Sequence, residues 1–329
     1  MTIADPYDPW KNRAMDHPEA KTSSSLDSKI ILVVGMHRSG TSVLAHAISL
    51  MGAFVGEERE LVPPHPSINP TGFWERTDVI AEHDRFLKDS GCSWATIANF
   101  SLEKVAESRR HNLAGNLRSI VGTMRRHDST LAIKDPRLCL TLPVWHEFVA
   151  APAHVVIVRD PRKIAASLMA AFPESFTTDF LLALWQKYLR CALAALAGKR
   201  ALFVSYARLL EEPEAEQRRL WLGLNAQGCA RLPRFDARRL RSVIDGRFDR
   251  SAPSGHARLS DDQQRLYAWL LDRCESEGVV EIADIPTIEC PDSALLELES
   301  VRRSCMRGGW NMAVQNGATA STRPMLSTA

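Results

Sequence analysis

Five consecutive apolar residues, Ile30 to Val34, are followed by a short polar loop and then by Val43, Leu44, Ala47, Ile48 and Met51 at helical spacing. The run predicts a buried strand, and the spacing predicts a helix packed against it that stops at Gly52. The same succession recurs. LAIKDPR (131–137) and HVVIVRDPRKIAASL (154–168) each open on an apolar run, and in the second Asp160 is placed to cap a helix with Pro161 at its first position. Ala201–Ser205 predicts a further strand leading through Tyr206 into a short helix, a proline break and another helix. Between these units, Val79, Ile80, His83, Phe86 and Leu87 trace one helix face, with His83 read as a packed residue. A second helix is expected from about Leu102 to Arg126. Phe180, Leu181, Leu184, Trp185, Tyr188 and Leu189 mark a long buried helix, and Gln263–Leu271 another. Ala53–Val55 predicts one additional short strand. Alternating strands and helices indicate an α/β, P-loop-type, three-layer fold: a central, mainly parallel sheet with helices on both faces.

Residues 1–28 show no periodicity and read as a flexible lead-in, residues 29–290 as one P-loop domain, and residues 291–329 as a partly disordered extension opened by a weak amphipathic segment. Residues 56–76, GEERELVPPHPSINPTGFWER, are too rich in Pro and Gly and too long for a plain connection, which makes them a functional-loop candidate. No 20–50-residue period repeats.

Composition narrows the chemistry by exclusion. With 41 basic and 39 acidic residues the net charge is +2, which argues against a general nucleic-acid binder and makes any basic site local. Seven cysteines without a CxxC pair suggest neither a disulfide framework nor a zinc site, and no metal ligands are expected. No apolar run reaches membrane-spanning length, so a cytoplasmic protein without a transmembrane segment is expected. Oligomeric state is not encoded in any of these patterns.

The loop between first strand and first helix carries the candidate chemistry. Gly35 and Gly40 frame it, Ser39, Thr41 and Ser42 add hydroxyls, and Arg38 is the cation inside it. Such a loop at a helix start presents backbone N–H groups to an anion. A nucleotide-triphosphate loop would read GxxxxGK[ST], and here Thr41 and Ser42 follow Gly40, so the lysine is missing. At the ends of later strands stand Lys134, Asp135 and Arg137, then Arg159 with Ser167 eight residues on, then Tyr206, all at the edge where open α/β sheets bind ligands. The plain alternatives are a charged turn with Arg137 in solvent, an ion-paired Arg159 with a neutral Ser167, and a Tyr206 ring that fills core. Nine arginines fall between positions 218 and 250. Most such runs are solvated helix faces, but Arg247 and Arg250 occupy a loop from which they can reach an anionic ligand.

Together these motifs resemble the sulfotransferases that use 3′-phosphoadenosine 5′-phosphosulfate (PAPS), over residues 30 to about 213. GMHRSGTS looks like the family's 5′-phosphosulfate loop, which assigns Gly35, Met36, His37, Arg38, Ser39, Gly40, Thr41 and Ser42 to the donor. The Arg159–Ser167 pair looks like its 3′-phosphate site, and SYARLLEEP like its tyrosine segment. NPTGFWE followed by IKDPR resembles a bacterial branch. Where phenol- and steroid-sulfating members carry a lysine and a histidine, this chain has Lys134, Asp135 and Pro136. The resemblance implies PAPS as donor, 3′-phosphoadenosine 5′-phosphate (PAP) as product, no metal, and a small-molecule or glycan acceptor, carbohydrate or glycolipid. It places Lys134 at the leaving group and Glu75, which ends the GFWE segment, as proton acceptor, with Asp135, Glu57 and His65 as alternatives. Trp74 or Trp94 is available to stack on adenine or acceptor. The family's C-terminal clamp is not evident, and Arg247 and Arg250 are the substitutes. Two rival readings are a P-loop nucleotide or small-molecule kinase, which should carry the missing lysine, and a non-catalytic nucleotide-binding protein.

Overall fold

The structure, a computed structural model, describes residues 29–306 except 67, 128–129, 173–174, 231, 234–256 and 290. Five strands form one sheet: β1 (Ile30–Val34), β2 (Leu131–Lys134), β3 (Ala153–Val158), β4 (Arg200–Ser205) and β5 (Val280–Glu281), in the order β2-β1-β3-β4-β5. The first four are parallel; β5 pairs with β4 antiparallel. Ala53–Val55 forms no strand. Phe54 makes a single bridge to Leu131, because the chain leaves the sheet edge immediately afterwards into the 56–76 segment.

The helices are α1 (Thr41–Leu50), α2 (Thr77–Asp89), α3 (Glu107–Met124), α4 (Leu138–His146), α5 (Pro161–Ala171), α6 (Thr178–Leu196), α7 (Tyr206–Glu211), α8 (Pro213–Ala226), α9 (Asp261–Cys274) and α10 (Asp292–Met306). The helix expected from Leu102 is divided. A 3₁₀ turn covers Leu102–Lys104, and α3 begins only at Glu107.

Strand alternation divides the core into two layers. Ile30, Leu32 and Val34 of β1 pack with Trp145 of α4 and Trp185 of α6 on one face, while Ile31 and Val33 pack with Leu44 and Ile48 of α1 and Leu220 and Leu224 of α8 on the other. Both faces are therefore apolar along every central strand, as a helix-covered parallel sheet requires. The amphipathic segment past Pro291 is α10, anchored by buried Leu295 and by a 2.7 Å ion pair from Lys187 to Asp292. Arg219, inside the arginine run, is no solvated residue: its guanidinium is buried against Glu216 and the Phe203 carbonyl.

The strand order sets the site. From β1 the chain crosses to β2 on one side and then returns past β1 to β3 on the other, so the carboxyl ends of β1 and β3 meet at a switch point where a crevice opens.

Candidate functional site

At that crevice the first loop turns from β1 into α1. Gly40 stands at φ 97°, a left-handed conformation, and a Cβ there would lie 2.2 Å from the Tyr206 ring. Only glycine lets the tyrosine close over the loop. Arg38 also adopts positive φ (65°). Helix α1 has no side-chain cap and no acidic residue in its first turn, so its leading N–H groups face the crevice without an internal partner.

Three motifs distant in sequence are tied together here. Arg159 Nη1 donates to the Arg38 carbonyl at 2.7 Å, and its guanidinium lies over the Tyr206 ring at 4.5 Å. Arg38 Nε donates to Ser167 Oγ at 2.9 Å, and its Nη1 to the Ile68 carbonyl at 3.0 Å. Burial and the neighbouring Arg159 charge both push the Arg38 pKa down. Among the described residues, no carboxylate forms an ion pair with Arg38.

A second cluster centres on Lys134 at the end of β2. Its ammonium is buried and donates to Glu75 Oε1, to the Phe73 carbonyl at 3.1 Å and to Ser42 Oγ at 3.2 Å. Ser42 Oγ also accepts from Asn69 Nδ2 at 3.2 Å, which leaves the hydroxyl proton of Ser42 to point elsewhere. Burial raises the Glu75 pKa, and the Lys134 charge opposes that rise without cancelling it.

The two clusters line one cleft of about 500 Å³, together with His37, Thr41, Trp94, Arg137 and Phe172. Of the residues singled out from sequence, His37, Arg38, Gly40, Thr41, Ser42, Glu75, Lys134, Arg159, Ser167 and Tyr206 all reach it. Met36 and Ser39 do not. Met36 is buried in the core, and Ser39 Oγ donates to the Met36 carbonyl at 2.7 Å, so both shape the loop from behind. Gly35 serves the same end: a Cβ there would meet Ile157 and Ser39 at 2.7 Å.

Asp135 does not line this cleft. Its carboxylate is fully buried and accepts from Arg137 N at 2.9 Å and Arg137 Nη1 at 3.0 Å, with His83 Nδ1 at 2.8 Å. Burial alone would raise its pKa, but the Arg137 charge and then His83 hold it well below the usual carboxylate range. Arg137 is no solvent-facing residue either, since Asp135 and Asp84 clamp it at the cleft floor. Glu57 closes a capping box with Glu60 on the surface, and exposed His65 Nδ1 accepts from Ile68 N; neither lines the cleft. Trp74 stacks on His46 at 3.9 Å outside it, whereas Trp94 lines it. Arg247 and Arg250 lie outside the described residues.

Sequence reasoning did not single out Asn69 or Phe172, both of which line the cleft. Asn69 sits in the singled-out NPTGFWE segment and was legible as a polar group of a long loop. Phe172, past the end of α5, carried no signal. Among the described residues, no helix is long and apolar enough to cross a membrane.

No curated protein matches the chain in sequence. Among solved structures, the sulfotransferase domain from the curacin biosynthetic pathway is similar at 14% identity and a TM-score of 0.44, covering 74% of this chain and 98% of that one. The sulfotransferase domain from the Synechococcus PCC 7002 olefin synthase is similar at 15% identity and a TM-score of 0.36, covering 85% and 98%. The family model described as "Sulfotransferase family" matches residues 31–227, from β1 through the cleft to the first residue after α8. That span exceeds half of the 329 residues and contains every cleft residue named above, and on it the chain belongs to the sulfotransferase family.

Proposed function

We infer that the protein transfers the sulfuryl group of PAPS to an acceptor hydroxyl or amine. The observation that carries this reading is the Arg38–Arg159 pair. Two guanidinium groups are held beside an uncapped helix start, and a multiply charged anion relieves their repulsion. The residues present fit such a donor: a glycine where Tyr206 closes on the loop, hydroxyls at Thr41, Ser42 and Ser167, and no lysine after Gly40. Bound PAPS supplies an activated sulfuryl group on a 5′-phosphate oxygen. The N–H groups of the loop and α1 with Arg38, Thr41 and Ser42 hold the 5′-phosphate and the sulfuryl oxygens, while Arg159 and Ser167 hold the 3′-phosphate. Lys134 neutralises charge at the oxygen that is released. Glu75 accepts the acceptor's proton as the acceptor oxygen or nitrogen bonds to sulfur and the bond from sulfur to the phosphate oxygen breaks; PAP leaves. The raised pKa of Glu75 suits this task, and the Lys134 ion pair holds its carboxylate in the cleft. Carbohydrate and glycolipid are the acceptor classes implied by the family resemblance.

Thermal melting with PAPS, PAP and ATP–magnesium tests the donor. Only a ligand that binds the native state raises the melting temperature. PAPS and PAP are expected to stabilise the protein, and Arg159→Ala to remove most of that shift. Stabilisation by ATP–magnesium alone would support a kinase instead.

A further inference from the structure

Two side chains from outside the phosphate loop fix the state of one of its hydroxyls. Ser42 Oγ lies 3.2 Å from Lys134 Nζ and 3.2 Å from Asn69 Nδ2. The ammonium has protons and no lone pair, so it only donates. The Asn69 amide is oriented by its other contacts. One end lies 2.7 Å from the Gly72 carbonyl, which only accepts, so that end is the NH2 group; the opposite end, Oδ1, accepts from Thr71 Oγ1 at 3.2 Å. Nδ2 therefore also meets Ser42 as a donor. A hydroxyl has two lone pairs and one proton. With both lone pairs of Ser42 engaged, its proton is what the group has left to offer, and Ser42 lines the cleft in the first turn of α1.

Lys134 is committed in the same way. Its three N–H bonds go to Glu75 Oε1, the Phe73 carbonyl and Ser42 Oγ, so in this arrangement its charge reaches a ligand through the Ser42 hydroxyl that it polarises. Asn69 is itself fixed. Its N–H donates to the His65 carbonyl at 2.9 Å, and its carbonyl accepts from His65 N at 3.0 Å and from Gly72 N at 3.3 Å. Holding this turn together explains the bonds to Thr71 and Gly72. It does not explain the bond that leaves the turn for α1.

Resting on the sulfotransfer reading above, we propose that Asn69 is a positioning residue of the donor site: with Lys134 it fills the lone pairs of Ser42 and so fixes that hydroxyl as a hydrogen-bond donor to an anionic oxygen at the 5′ end of PAPS. Without the amide one lone pair is open, and the hydroxyl is no longer restricted to that orientation.

Calorimetric titration of PAP, which needs no acceptor, tests this on the full-length protein as wild type, Ser42→Ala, Asn69→Ala and the double variant. Ser42→Ala loses a hydrogen bond to a charged group and about tenfold or more in PAP affinity. Asn69→Ala costs about threefold or more where Ser42 is present, and less than about twofold in the Ser42→Ala background. A residue that only supports the loop would cost the same factor in both backgrounds. Asn69→Asp, nearly isosteric, makes the same comparison should Asn69→Ala fail to fold: it sets an acceptor beside the Ser42 hydroxyl, and its penalty should shrink by about threefold or more in the Ser42→Ala background, where only the added charge remains. Equal factors in both backgrounds, or no loss on substitution of Asn69, overturn the proposal and leave the donor assignment standing. A wild type that does not bind PAP overturns the donor assignment and the proposal with it.

Discussion

Glu75 concentrates the chemistry of the cleft in a single side chain. It lies at the end of a loop segment, is 8% exposed and faces a lysine that it shares with Ser42 and the Phe73 carbonyl. Burial disfavours its charge and Lys134 favours it; burial prevails, so the pKa stands above its ordinary value of 4.5. A carboxylate so placed is a stronger base than one in water. Glu75→Gln keeps an oxygen for Lys134 but cannot accept a proton. PAP should therefore still raise the melting temperature of the variant, while kcat falls by about 10²–10⁴-fold. In the wild type the acid limb of the kcat profile should lie above pH 4.5, where Glu75 becomes protonated. A variant with full turnover would remove Glu75 from the mechanism.

At the scale of elements, the parallel start of the sheet was readable because each of the first four strands is mainly an apolar run, with apolar residues on both faces. Strand β5 was not readable. It is two residues long and owes its existence to the turn at Gly198, whose N–H donates to Ile282 O at 2.9 Å. The donor half of the cleft was legible for a similar reason: loop, Arg159–Ser167 and Tyr206 follow strands directly, and strand ends converge. The aromatic side of the cleft joins His37, Trp94 and Phe172 through side-chain packing across three separate segments, which no spacing records. Packing at the opposite edge of the sheet makes a further prediction. His154 on β3 has its Nδ1 3.1 Å from the Arg200 carbonyl, which only accepts, so Nδ1 carries the proton and Nε2 is an acceptor. His146 at the end of α4 must then donate its Nε2–H across the 2.9 Å contact. A second proton on His154 would turn two N–H groups toward each other. Burial lowers both pKa values to about 4 from 6.5. The unfolded chain thus binds protons that the folded one refuses, and stability falls as pH drops from about 6.5 to about 4. His154→Gln should flatten this part of the melting-temperature profile; an unchanged slope would place the acid sensitivity elsewhere.

For the molecule as a whole, charge is nearly balanced at +2, yet the cleft gathers Arg38, Lys134, Arg137 and Arg159, with the Glu75 carboxylate against Lys134. Asp135 and Asp84 cancel Arg137 and Glu75 cancels Lys134, whereas Arg38 has no carboxylate ion pair among the described residues and sits in the repulsive field of Arg159 at the switch point between β1 and β3. A nearly neutral protein has little long-range field to draw an anion, and attraction acts within a Debye length of the cleft mouth. Salt should consequently act in opposite directions on binding and on folding. Raising potassium chloride from about 50 to about 300 mM screens the donor's phosphates and should weaken PAP affinity several-fold. The same salt screens the repulsion between the two arginines in the free protein, so the melting temperature without ligand should hold or rise. Calorimetric titration and melting in parallel read both quantities. A PAP affinity indifferent to salt would mean that the two guanidinium groups do not hold its phosphates, whereas a falling melting temperature would mean that they do not repel in the free protein.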